Sequence, residues 1–284
     1  MTDLSRGAVW VDGDVVDEGA PALRADDHGF LVGDGVFETL RVRSGRPLFL
    51  DRHLARLAQA LAVTGIAPVP DARLRIAIQE VLGAGGLDDA RLRLTITSGP
   101  GGNGLLRGAT TTVVVAITPL PGPIGAVAPA RMVTALGARN ERSPLAGIKT
   151  TSYADAAALM SRAAAVDADD VLLGDSCDRL SEALTSNVFV VLDGRVLTPG
   201  RAAGCLPGIV RDLILDAEIA TESDLPLTAL ADAEEVFLSS SVTGVRPVAS
   251  IDGRTLPVVD GPATARARRA VATAEADELV VPID

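Results

Sequence analysis

Apolar runs at residues 8–11 and 14–16, split by Asp12-Gly13, predict a β-hairpin closed by a two-residue turn. Residues 37–43 and 46–50, joined around Ser44-Gly45, predict a second hairpin. From 52 to 63 the period changes: Leu54, Leu57, Ala58 and Leu61 fall on one helical face, and 72–82 repeats that pattern. Residues 91–97 and 110–118 predict strands on either side of a glycine-rich loop at 99–104. Thr118-Pro119-Leu120-Pro121-Gly122-Pro123 suits neither helix nor central strand, so a domain of 1–118, a Pro/Gly-rich linker of 119–129 and a second domain of 130–284 are expected. Beyond it the pattern predicts strands at 131–135, 171–173 and 235–238, a hairpin of 188–192 with 195–197 around Asp193-Gly194, and an Asp252-Gly253 turn. Helices are predicted at 153–165, 208–217 and 263–276. The expected fold class is α+β, two domains each with a sheet and flanking helices, and ligand sites often lie where such domains meet.

Composition narrows the function classes. The chain has 284 residues, which suits two domains at roughly 150 residues each. At 48% hydrophobic it can bury a real core, and no apolar run approaches the about 20 residues that span a bilayer. Met1-Thr2-Asp3-Leu4-Ser5-Arg6 begins no apolar signal segment, and the two cysteines form no C-x-x-C pair, so a reducing, cytoplasmic setting is expected. A net charge of −11 opposes a nucleic-acid footprint, which needs a basic face. Two histidines and two cysteines leave little for a zinc site or a histidine triad, and no metal is expected.

Of 26 basic residues, 25 are arginine and one, Lys149, is lysine. Either it is an accident of composition or its position requires an amine that can lose its proton, which arginine cannot supply. It sits in Ala146-Gly147-Ile148-Lys149-Thr150-Thr151-Ser152-Tyr153. A second feature is Glu182, among small hydroxyl and amide residues (Ser181 through Asn187) before a buried-looking strand. It is either a surface charge or a carboxylate aimed at a cationic partner. A third is Gly204-Cys205-Leu206-Pro207-Gly208-Ile209-Val210-Arg211, which opens a helix and presents backbone N–H groups suited to an anion.

Together with Gly33-Asp34-Gly35-Val36-Phe37-Glu38-Thr39 and His53-Leu54-Ala55-Arg56-Leu57, these motifs make the chain resemble the fold type IV pyridoxal 5′-phosphate enzymes. That family holds branched-chain aminotransferases, D-amino-acid transaminases and 4-amino-4-deoxychorismate lyases. The resemblance implies pyridoxal 5′-phosphate at the domain interface, held as a Schiff base by Lys149, which also transfers the proton. It implies that Glu182 keeps the pyridine nitrogen protonated, and that Arg56, the backbone amides of Ile209 and Val210, Ser240 and Ser241 bind the phosphate. Val210 stands where threonine is frequent. Tyr153, the only tyrosine, either touches the phenolic oxygen of the cofactor or packs. A homodimer is implied, with the loop at 99–106 roofing the neighbour's pocket.

The same resemblance bears on the reaction. Phe37-Glu38-Thr39 looks most like the lyase branch, where the threonine assists proton transfer. Lyases commonly carry Gly-Gly-Arg-Gly where this chain has Gly101-Gly102-Asn103-Gly104. D-amino-acid transaminases expect arginine at that place and histidine two residues on, against Asn103 and Leu105, and often tyrosine at Phe37. Ser98 and His28 also stand where arginine is frequent. A carboxylate substrate still needs a cation; Arg24, Arg107, Arg139 and Arg142 are the candidates, unless they are solvated surface residues. The expectation is a ping-pong transaminase moving an amino group between an amino acid and a 2-keto acid, acting on D-amino acids and extending to (R)-amines. Phe37, His28, Asn103, Arg107 and Arg139 would face the substrate. The alternatives are 4-amino-4-deoxychorismate lyase, with Thr39 reprotonating, and a branched-chain L-amino-acid aminotransferase.

Overall fold

The computed structural model describes residues 7–16, 22–101, 104–120 and 127–280. The chain divides into two compact units, Met1–Pro123 with Ile148–Tyr153, and Ile124–Gly147 with Ala154–Asp284.

The first unit is an antiparallel six-stranded sheet ordered β2-β1-β6-β5-β3-β4, from β1 (Ala8–Val11), β2 (Asp14–Val16), β3 (Gly35–Arg43), β4 (Arg46–Pro47), β5 (Ala90–Thr97) and β6 (Thr112–Pro119). Both predicted hairpins form, though the return strand of the second is only Arg46–Pro47 because α2 begins at Leu50. Helices α2 (Leu50–Thr64) and α3 (Asp71–Gly85) bury their Leu54, Leu57, Ile78 and Val81 stripes against Val36, Leu40 and Val42 of β3 and Leu92 and Leu94 of β5. Strand alternation places Phe37, Thr39 and Arg41 of β3 and Arg91, Arg93 and Thr95 of β5 on the other face, where Thr39 pairs directly with Arg93. A short helix, α1 (His28–Val32), was not expected. Asp27 caps its start by accepting from the Gly29 N–H, and Gly33 ends it at φ 69°, a conformation that favours glycine.

The second unit is a mixed nine-stranded sheet. Its main path runs β12 (Thr221–Ser223), β11 (Arg195–Pro199), β10 (Asn187–Leu192), β13 (Glu235–Ser240), β14 (Gly244–Ile251), β7 (Ala130–Arg139), β8 (Asp170–Asp175), β9 (Leu180–Ala183), with β15 (Arg254–Thr255) on β14. Both faces of β10 are covered, which explains its unbroken apolar run. Val188 and Val190 face one core, and Phe189 and Val191 face another built with α5 (Ile209–Asp216) and α6 (Pro262–Val280). Phe189 and Phe237 stack there with centroids 4.7 Å apart. Helix α4 (Ala154–Ala164) lies against β8.

The Lys149 segment belongs to the first unit, a correction to its expected place in the second. Backbone pairing decides it: Phe37 donates to the Lys149 carbonyl at 2.9 Å, and Thr151 donates to the Gly35 carbonyl at 2.9 Å.

Candidate active site

Glu38 shares the core face of β3 with Val36 and Leu40, so a carboxylate sits only 1% exposed among aliphatic side chains. Such a charge must be paired. His53 and Arg56, three residues apart on α2, supply the partners: Nδ1 of His53 lies 2.7 Å from Oε2, and Arg56 reaches both oxygens at 2.8 and 2.6 Å. Burial alone would raise the Glu38 pKa, but the hydrogen bonds from Arg56 and His53 win and hold it at about 2. Burial lowers the His53 pKa against the pull of Glu38. The ring is therefore neutral at pH 7, donating from Nδ1, and its buried Nε2 has no hydrogen-bond partner among the described residues.

On the opposite face of the sheet, the Phe37 ring is a platform for cations. The Arg93 guanidinium lies 3.6 Å from its centroid, Nζ of Lys149 lies 4.6 Å away, and Tyr153 meets it edge-on at 5.4 Å. Arg93 donates to Thr95 Oγ1 at 3.2 Å, burial lowers its pKa, and no acidic side chain among the described residues pairs with it. Sequence reasoning did not single out Glu38, His53 or Arg93. For Glu38 the signal was present: β-strand parity sets it among Val36, Leu40 and Val42, facing a helix that offers a histidine and an arginine. For Arg93 parity fixes the face but cannot separate a ligand-ready cation from a solvated one.

The remaining expected substrate residues of this unit form a different cluster. Arg107 grips Asp34 with two bonds of 2.7 and 2.6 Å and donates to the Thr64 carbonyl at 2.8 Å. Ser98 also donates to Asp34, at 2.6 Å. His28 is 1% exposed, its Nδ1 3.7 Å from Asp34, with neither ring nitrogen hydrogen-bonded among the described residues. Arg24 is largely exposed and pairs with Asp26. Asn103 lies outside the described residues.

In the second unit Glu182, on β9, is 6% exposed. Its Oε1 pairs with Arg139, and its Oε2 accepts from the Leu206 N–H at 3.0 Å and Asn187 Nδ2 at 3.4 Å. The nearby Cys205 thiol is pushed up to about 11 by burial and then by the Glu182 charge, which leaves it no nucleophile. Helix α5 starts at Ile209 and Val210 after Gly208 with no side-chain cap, so its first N–H groups remain available at the positive end of the dipole. Register pairs Asn187 with Ser239 and brings the turn at 240–243 to the end of the sheet where β10 begins. Ser240 Oγ accepts from the Thr243 N–H there at 3.3 Å, and Ser241 follows in the same turn. Arg142 is exposed beside Glu141.

A lone half-buried lysine, a paired buried carboxylate and an uncapped helix start are the parts of an enzyme that binds an anionic carbonyl cofactor. Residues 35–251 match the family described as amino-transferase class IV, and the chain belongs to that family. It is 31% identical over 279 residues to the bifunctional aminodeoxychorismate lyase / D-amino acid transaminase of Mycobacterium tuberculosis, covering 88% of this chain and 92% of that protein. It is 27% identical over 274 residues to the D-alanine aminotransferase of Listeria monocytogenes, covering 89% and 90%. Among solved structures, a hypothetical aminotransferase from Mycobacterium tuberculosis in its PLP-bound form superposes with a TM-score of 0.84 at 29% identity, covering 95% of this chain and 99% of that one. A hypothetical aminotransferase from Mycobacterium tuberculosis in an α-ketoglutarate and PMP bound form superposes with a TM-score of 0.83 at 29% identity, covering 95% of this chain and 99% of that one.

Class IV aminotransferases use pyridoxal 5′-phosphate, and the residues present fit it. The first unit offers the single lysine amine, Lys149, and the second a buried carboxylate, Glu182, and an uncapped helix start, groups of the kinds that an aldehyde, a ring nitrogen and a phosphate would need. Buried His53 Nε2 in the first unit and Ser181 Oγ and Ser239 Oγ in the second have no hydrogen-bond partners among the described residues.

Proposed function

We propose that this enzyme is a transaminase acting on D-amino acids and extending to (R)-amines, with a 2-keto acid as acceptor. The observation that carries the reading is Arg93, a half-buried guanidinium with no carboxylate partner among the described residues, stacked on the same phenylalanine that Lys149 approaches. A buried cation left uncompensated is costly unless an anion completes it, and every substrate of such a transamination except an amine carries a carboxylate. In this proposal Arg93, stacked on the Phe37 ring that Lys149 approaches, takes the substrate carboxylate, while Arg107 and Arg139 hold Asp34 and Glu182. The names of the two relatives support D-amino acids.

In this reading the cofactor, when bound, supplies the carbonyl that takes up the amino group and the electron sink for α-proton removal. The Lys149 amine anchors it and moves the proton at the substrate α-carbon. Glu182 holds a proton at the pyridine nitrogen, while Arg56, the Ile209 and Val210 amides, Ser240 and Ser241 take the phosphate. Tyr153 meets edge-on the same Phe37 ring that Lys149 approaches. The two half-reactions run in alternation. Phe30, Leu31, Leu105 and Leu106, between 55% and 83% exposed, support a homodimer as part of the same proposal. The unpaired Cys177 and Cys205 support a cytoplasmic setting.

The test is a panel: D-alanine with 2-oxoglutarate, an (R)-amine with pyruvate, L-valine with 2-oxoglutarate, and aminodeoxychorismate alone. Pyruvate and glutamate formed together in the first arm support the reading. Release of pyruvate from aminodeoxychorismate without any amino transfer overturns it and favours the lyase, for which Thr39 lies beside Arg93 on the sheet face. Arg93→Leu is expected to lower kcat/KM for 2-oxoglutarate by about a hundredfold, mostly through KM, because a charge-assisted hydrogen bond is lost. An unchanged KM would remove Arg93 from the substrate site.

A further inference from the structure

Asn187 was part of the family-like motif, yet nothing in the reaction uses it. It is 5% exposed and opens β10. Its Nδ2 donates to the Leu206 carbonyl at 2.8 Å and, over 3.4 Å, to Glu182 Oε2, while the Leu206 N–H donates to that same oxygen at 3.0 Å. Both groups facing Nδ2 can only accept, so the amide orientation is fixed. Oδ1 then points at Gly208, where an added Cβ would lie 1.9 Å from it. Gly208 is the residue immediately before α5, and its carbonyl closes the first turn by accepting from Asp212 at 2.8 Å. Glu182, Leu206 and Asn187 thus form a closed hydrogen-bonded ring, packed against the start of a helix.

We propose that Asn187 is a positioning residue that locks the Glu182 carboxylate to the turn at 206–208, so that the contact with the pyridine nitrogen and the phosphate-binding start of α5 are held at one fixed spacing. This rests on the proposed roles of Glu182 and α5. Aspartate cannot substitute: it would place an oxygen against the Leu206 carbonyl and a second negative charge beside Glu182. Nor can residue 208 carry a side chain without breaking the ring.

The test uses the holoenzyme and reads both ends of the cofactor. The pH midpoint of the bound cofactor's visible absorbance belongs to its imine with Lys149 and shifts with the charge held at the pyridine nitrogen, so it reports that end through its effect on the imine. The preference for pyridoxal 5′-phosphate over phosphate-free pyridoxal, from dissociation constants by fluorescence titration, reports the phosphate end. Asn187→Ala is expected to move the midpoint in the same direction as Glu182→Gln, to weaken pyridoxal 5′-phosphate binding by about tenfold to a hundredfold, and to reduce the phosphate preference. The double variant should show no further midpoint shift, because both changes act on one contact. Asn187→Ser, which keeps a small donor, should fall between wild type and alanine and serves where alanine does not fold. If the Asn187 variants lower thermal stability but leave the midpoint at its wild-type value while Glu182→Gln moves it, the residue is merely structural and the proposal fails alone. If only one end responds to Asn187, the lock is refuted. If Glu182→Gln itself leaves the midpoint unmoved, the assigned role of Glu182 falls and takes this proposal with it.

Discussion

Lys149→Ala protein is expected to lose transaminase turnover by at least about three orders of magnitude, the loss expected when the proton-transferring amine is removed. Lys149→Arg should be equally inactive, since a guanidinium stays protonated and cannot act as a base. Neither variant should unfold: the contact that anchors this segment runs from the Phe37 N–H to the Lys149 carbonyl, and Thr151 Oγ1 donates to the Gly33 carbonyl at 2.8 Å, both independent of the side chain. Thermal melting beside steady-state rates separates the two effects. Methylamine added to the alanine variant should restore a fraction of the rate by replacing the missing amine. Turnover within tenfold of wild type in the arginine variant would contradict the assignment.

Acid stability should be governed largely by Glu38. Its folded pKa is depressed to about 2 from the usual 4.5, so the stability it contributes is fully present above pH 4.5 and is lost as the pH falls towards 2. That limb is worth about 3 kcal/mol. His53 acts first. Burial lowers its folded pKa, so below the usual 6.5 the unfolded chain takes up a proton that the folded chain resists, and stability already declines there. Glu38→Ala leaves the half-buried Arg56 guanidinium without this carboxylate and His53 Nδ1 without its acceptor, a loss of about 3 kcal/mol. Glu38→Gln should cost less and flatten the acid limb. Urea midpoints from pH 7 down to pH 2 measure both; a parallel acid limb in the glutamine variant would assign the sensitivity elsewhere.

How much of this was legible in the sequence depends on the range of the forces involved. Short-range signals carried well. The Asp12-Gly13 turn, the Leu54–Leu57–Leu61 stripe and the β10 apolar run all yield the elements they predict. Strand β12 escaped because its pairing with β11 is set by a partner more than twenty residues away, while β9 and β14 pair with the strands just before them but lack a clean alternation of apolar and polar positions. The singular lysine pointed to an amine, and the motif around it to a cofactor. Which arginine does what was not legible, because a guanidinium's role depends on the carboxylate that folding brings to it. Arg107 meets Asp34, 73 positions away, and Arg139 meets Glu182, 43 positions away. Arg93 meets no acid among the described residues, and no local pattern distinguishes the three.

The most direct test treats the wild-type protein with pyridoxal 5′-phosphate and then borohydride, digests it, and maps the phosphopyridoxyl group by mass spectrometry. With one lysine in 284 residues, the mass should appear at near-unit stoichiometry on the peptide containing Lys149. A label confined to the amino-terminal amine, or no label on protein that still turns over substrate, would contradict the account.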